Sequence, residues 1–105
     1  MNRACDLVAS WLDANTARLG LREVGAQRRR DESRGTFSAG YETDSHVISV
    51  AVWERGHCLD IDMLSKATKS GEMLCAGPCS NEFEIQERLE LLQRRLIGPP
   101  DSRHS

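Results

Sequence analysis

The run HVISVAVWERGHCLDIDML, residues 46–64, constrains the fold more than any other part of this chain. It holds two β-rich segments joined at Arg55-Gly56. With a two-residue loop there, Glu54 faces His57, Trp53 faces Cys58 and Val52 faces Leu59. Farther out, Val50 faces Ile61 and Ile48 faces Met63. One face of the hairpin is then Ile48, Val50, Val52, Leu59, Ile61 and Met63, all apolar. The other carries Val47, Ser49, Ala51, Trp53, Cys58, Asp60, Asp62 and Leu64. Side chains alternate between the faces at every residue, so a slip by one would mix the two sets. Arg-Gly is not the favoured pair for a type I′ turn, which leaves a glycine bulge as the alternative loop.

Helical periodicity flanks this region. In Asn2–Leu19, Leu7, Val8, Trp11, Leu12 and Leu19 form an apolar stripe, interrupted at Asn15. Asn2 is placed to cap its start, and Gly20 supplies the stop. In Asn81–Leu96 the stripe is Ile85, Leu89, Leu92 and Leu96, with Phe83 at the entry. Asn81 and Glu84 have the spacing of a capping box, and Glu82 suits the positive end of the helix dipole. Gly98-Pro99-Pro100 ends it.

Between the first helix and the hairpin, Leu21–Arg30 reads as a weak strand and Asp31–Gly35 as a charged turn. Thr36–Glu42 is a half-buried strand with Phe37, Ala39 and Tyr41 on one face. After the hairpin come a polar turn (Ser65–Gly71), a short last strand (Glu72–Cys75) and a loop (Ala76–Ser80). The expected architecture is α+β: an antiparallel sheet of four or five strands packed by an N-terminal and a C-terminal helix. Each helix has one apolar stripe, so both cover the same sheet face and leave the other open to solvent or a partner. Residues 1–97 are expected to form one domain and 98–105 a disordered tail.

Composition narrows the function classes. Hydrophobic residues are 39% and charged residues 29% of the chain, which describes a folded domain rather than a disordered one. The formal net charge of -2 argues against a bulk preference for nucleic acid or an anionic membrane. No apolar run approaches the ~18–20 residues of a membrane helix. The mixed-charge N-terminus does not read as a secretory signal, so the cytoplasm is expected, where thiols stay reduced.

Little in the chain points to chemistry of its own. Cys75 and Cys79 lie around a Gly-Pro corner with three residues between them, one more than a thioredoxin-like pair, and no parallel βαβ unit surrounds them. A zinc site needs about four ligands. His57 and Cys58 could join on paper, but as strand neighbours they point to opposite faces. The alternative is that Cys75 and Cys79 are small apolar packing residues beside a turn.

His46 and His57 sit at opposite ends of the hairpin. Ser49 faces Asp62, but no base stands ready for a triad. Asp60 and Asp62 on one strand face either mark the solvent side or serve acid–base or hard-metal chemistry. Arg28-Arg29-Arg30 is followed at once by Asp31 and Glu32, which reads as a charge-protected edge strand rather than a phosphate site. No catalytic, cofactor-binding or metal-binding residues are therefore assigned. Trp53, on the polar face near the turn, either anchors a partner or covers the end of the hairpin.

Val52, Trp53, Glu54, Gly56, Cys58, Leu59 and Asp60, followed by the Leu-rich helix Asn81–Leu96, resemble a family of small immunity proteins. These protect bacteria from polymorphic (Rhs-type) toxins, and the nearest is the TriTu immunity family. The resemblance covers roughly half of the chain, from His46 onward. It implies an antitoxin-like inhibitor without catalysis, which binds and occludes a cognate toxin. In that family the toxin is an ADP-ribosyltransferase that modifies elongation factor Tu, and its NAD or substrate cleft is blocked. On this reading Trp53 is the apolar anchor, Asp60 and Asp62 carry charge complementarity, and Glu54 and Arg55 form the rim. The protein would be one chain of a heterodimer, with no cofactor. The alternatives are a chaperone-like module for a secreted effector and a small thiol or metal protein built on Cys75 and Cys79.

Overall fold

The alternation in residues 46–64 builds the middle of an antiparallel sheet. The structure is a computed structural model that describes residues 3–24 and 28–97. Helix α1 (Arg3–Leu19) is followed by β1 (Arg22–Glu23), β2 (Arg29–Asp31), β3 (Thr36–Glu42), β4 (His46–Trp53), β5 (Cys58–Ser65), β6 (Gly71–Cys75) and α2 (Glu82–Ile97). The strand order is β1-β3-β4-β5-β6, with β2 also paired to β3. The fold is α+β, as expected. The expected weak strand Leu21–Arg30 is instead two short strands, which pair with the two ends of β3. Asn2, residues 25–27 and the expected tail 98–105 lie outside the described residues.

The hairpin register is the expected one: Trp53 pairs with Cys58, Val52 with Leu59, Val50 with Ile61 and Ile48 with Met63. The loop is different. Neither a two-residue turn nor a glycine bulge forms, and Glu54 does not pair with His57. Arg55–His57 is a 3₁₀ turn in which the His57 N–H donates to the Glu54 carbonyl at 3.1 Å. A two-residue primed turn needs a first residue that accepts positive φ, and Arg55 disfavours it. Here the left-handed residue is His57, with φ of 50°.

The core lies between one sheet face and the two helices. Phe37, Ala39, Tyr41, Ile48, Val50, Val52, Leu59, Ile61 and Met63 from the sheet are buried against Ala4, Cys5, Val8, Ala9 and Leu12 of α1 and Ile85, Leu89 and Leu92 of α2. Leu7 and Trp11 only flank this core, so the buried stripe of α1 sets the small Ala4, Cys5 and Ala9 beside Val8 and Leu12. That lets the helix sit close to the sheet.

Both helix ends are closed as the sequence indicates. At Gly20 (φ 70°) the Gly20 and Leu21 N–H groups donate back to the carbonyls of Ala17 and Thr16, a Schellman stop that only a left-handed residue permits. The Asn81 side chain accepts the Glu84 N–H at 2.9 Å, while the Glu84 carboxylate accepts the Ser80 N–H at 2.6 Å.

The start of α1 is capped from a distance. The Glu54 carboxylate accepts the N–H groups of Ala4 and Cys5 at 2.9–3.2 Å. A negative group there also offsets the positive end of the helix dipole.

The arginine triplet is divided by strand alternation. Arg29 stands opposite Ser38 on the open side and is exposed. Arg28 and Arg30 turn to α1, where Arg28 binds Asp13 at 2.8 Å and Arg30 pairs with Asp6. Arg28 also lies over the Phe37 ring, 5.2 Å from its centre. Two of the three arginines thus lash the helix layer to the sheet edge.

Several carboxylates gain such partners on folding. Hydrogen bonds from Arg28 hold Asp13 below its ordinary value. Lys66 does the same for Glu42, and the Ser80 N–H for Glu84. A carboxyl with a depressed folded pKa binds fewer protons than in the unfolded chain once the solution is acid. Its contribution is complete above the ordinary values of 3.8 and 4.5 and is lost as pH falls through the folded values. Thermal unfolding scans between about pH 6 and pH 3 should therefore show a flat midpoint that falls only below about pH 4.5. A midpoint that rises on acidification would contradict these assignments.

Candidate functional site

The sheet face away from the helices has no covering layer among the described residues. Its side chains stand in cross-strand rows. The first row is Thr36, Trp53 and Cys58, and the second is Arg29, Ser38, Ala51 and Asp60. The third is Gly40, Ser49, Asp62 and Met73, and the fourth is Glu42, Val47, Leu64 and Gly71. The middle of this face is floored by Ser38, Gly40, Ser49 and Ala51, none of which projects far. Apolar groups rise at both ends: Trp53 is 40% exposed, while Leu64 and Met73 are 41% and 55% exposed. The two ends are six residues apart along β5, roughly 20 Å. A shallow acidic saddle between two apolar posts is a shape for docking a macromolecule rather than enclosing a small substrate.

The five residues expected to contact a partner fare differently. Trp53, Asp60 and Asp62 do share the open face. Asp62 is exposed and makes no ion pair or hydrogen bond among the described residues, so its charge is available. Asp60 already accepts the Gly77 N–H at 3.0 Å, which ties it to the following loop. Arg55 is exposed on the 3₁₀ turn at the rim. Glu54 does not form part of that rim, because its carboxylate is turned to the opposite side of the sheet to cap α1. Leu64 and Met73 escape the sequence reading as contact groups. Met73 reaches this face through a bulge opposite Ile61 and Asp62 that changes the parity of β6.

The segment LCAGPCS connects β6 to α2. It runs back along the first residues of β5: the Leu59 N–H donates to the Gly77 carbonyl and the Cys79 N–H to the His57 carbonyl, each at 3.1 Å. Arg88 fixes it from above. Its guanidinium donates to the carbonyls of Leu59, Ala76, Gly77 and Pro78 at 3.2, 3.1, 2.8 and 2.9 Å. Nothing in the sequence pattern marks this arginine. Cys79 is buried and Cys75 packs against the core, both as free thiols. Burial pushes both thiols up from their ordinary value, which disfavours the thiolate a nucleophile or metal ligand needs. Among the described residues, no three His, Cys, Asp or Glu side chains stand close enough to share a metal ion.

His46 and His57 lie at opposite ends of the β4–β5 hairpin. His46 lines a cavity of about 300 Å³ with Leu19, Gly20, Arg22, Thr43 and Arg95, among others. Both arginines there are already paired, Arg22 with Asp44 at 3.3 Å and Arg95 with Glu72. No helix of the described residues is long and apolar enough to cross a membrane.

Comparison with protein-family models, with curated proteins and with solved structures finds no match to this chain.

Proposed function

We propose that the chain is an immunity protein, which binds a cognate toxin domain through the open sheet face and occludes its active cleft. The observation that carries the reading is the uncovered face itself, with an exposed Trp53 at one end of a floor of small side chains and the unpaired Asp62 two rows farther along it. Aromatic anchors ringed by polar groups dominate binding energy at protein interfaces, and an unpaired acid adds steering toward a basic partner. The resemblance of residues 46–64 and the final helix to the TriTu immunity family names the target: an Rhs-type ADP-ribosyltransferase that modifies elongation factor Tu.

Co-expression with the product of the neighbouring reading frame tests this reading, which requires that product to carry a toxin domain. The two chains should co-purify, and the isolated protein should stop modification of elongation factor Tu at a one-to-one ratio. Binding that leaves the modification running would point instead to an effector chaperone. No binding and no inhibition would remove the immunity reading.

A further inference from the structure

Two charged side chains on the strands of the open face have no partner among the described residues: Arg29 on β2 and Asp62 on β5. Their signs are opposite. Arg29 is set on this face by its pairing with Ser38, while its neighbours Arg28 and Arg30 turn away to α1. Ser38 pairs with Ala51 and Ala51 with Asp60, so Arg29 is three strand spacings from β5, and Asp62 is one row farther along. At the usual spacings of a sheet the two charges are roughly 16 Å apart.

The other charges on these strands are engaged. Asp60 accepts the Gly77 N–H, Glu42 binds Lys66 at 2.9 Å, and Asp31 accepts the N–H groups of Ser33 and Arg34 in its own turn. Between Arg29 and Asp62 lie only Ser38, Gly40, Ser49 and Ala51, which are small and uncharged. The gap is about twice the screening length of roughly 8 Å at physiological salt, so neither charge cancels the other. A docking surface meets two separate fields, positive over β2 and negative over β5.

We propose that Arg29 determines specificity on the docking face, and that the partner's surface is dipolar, with a carboxylate over β2 and a cation over β5. This rests on the docking reading of the open face given above and adds the charge pattern of the partner. Opposite charges on either side of the floor fix the orientation of whatever docks there. A half-turn of the partner about the normal to the sheet would set like charge on like, which is costly. Arg29 also acts against wrong partners. A uniformly basic surface, drawn by Asp62 and by the net charge of -2, meets repulsion at β2. An arginine on an edge strand can instead serve only to keep other strands away, a duty that leaves docking rates untouched.

Association rates with the product of the neighbouring reading frame, at about 50 and about 500 mM salt, test the proposal. At the lower salt Arg29→Gln should slow association about threefold and Arg29→Glu about tenfold, and both differences should shrink at the higher salt. Circular dichroism and the unfolding midpoint should stay unchanged, since the side chain is exposed and unpaired. Combining Arg29→Glu with Asp62→Arg keeps the net charge and inverts the pattern. This double variant should associate more slowly than either single one. A double variant that associates as the wild type does would overturn the proposal, because net charge alone would then steer the encounter. So would an Arg29→Glu variant as fast as the wild type, which leaves Arg29 an edge guard, or a faster one, which a uniformly basic partner would give. In each of these cases the wild type still binds and the docking reading stands. A wild type that does not bind removes that reading and this proposal with it.

Discussion

Replacing Arg88 with alanine is expected to lower the free energy of unfolding by about 3 kcal/mol. The side chain is only 15% exposed, and its guanidinium serves four carbonyls and the Glu84 carboxylate at once. Hydrogen bonds to a charged group contribute about 1.5–3 kcal/mol each in favourable cases, but these share one cation and do not add. Removing the cation frees carbonyls of Ala76, Gly77 and Pro78 that water can partly reach. The Leu59 carbonyl, at the sheet, is harder to rehydrate. Arg88→Lys should recover less than half of the loss, because an ammonium cannot span the fork of acceptors that a planar guanidinium does. Urea titrations should show the shift in midpoint with little change in slope. A loss under about 0.5 kcal/mol would mean that pairing with β5 holds the 76–80 loop without help.

The difference between Arg88 and the hairpin shows what the sequence can reveal. Strand alternation is local and strict, so residues 46–64 disclose their register and both faces before any neighbour is known. The cap of α2 is equally local, since Asn81 and Glu84 are three residues apart. Arg88, by contrast, stands four residues from Glu84 and reads as half of a solvated helical pair. Its main partners lie 10–12 residues earlier, in a loop that folds back under the helix. Glu54 is hidden for the same reason: it sits beside Trp53 in a turn, yet it caps a helix 49–50 residues away. The Arg28–Arg30 run reads as a charge-protected edge strand, but its partners are not legible: the chain sends two of its members to Asp13 and Asp6, two helical turns apart. Met73 needs the bulge at the Ile61–Asp62 step before its face can be known. Without the bulge it would share a face with Cys75.

Under the proposed function, Trp53→Ala should weaken binding to the toxin domain by about 2–4 kcal/mol, roughly thirty- to a thousandfold in Kd. The indole is the largest exposed group on the open face, and its neighbours Thr36, Ala51 and Cys58 are small enough for a partner to close around it. The substitution should cost the free protein about 1–2 kcal/mol, because the residue is 40% exposed and the rest of the ring is covered by its sheet neighbours. Asp62→Asn separates the two contributions of the site. An exposed, unpaired charge acts chiefly on encounter, so this change should lower the association rate and flatten its salt dependence while leaving dissociation nearly unchanged. Trp53→Ala should do the reverse, raising the dissociation rate with the salt dependence intact. Surface plasmon resonance at two ionic strengths reads both. If both variants bind as the wild type does, the toxin docks on another surface, and the exposed indole serves only to cover the end of the β4–β5 hairpin.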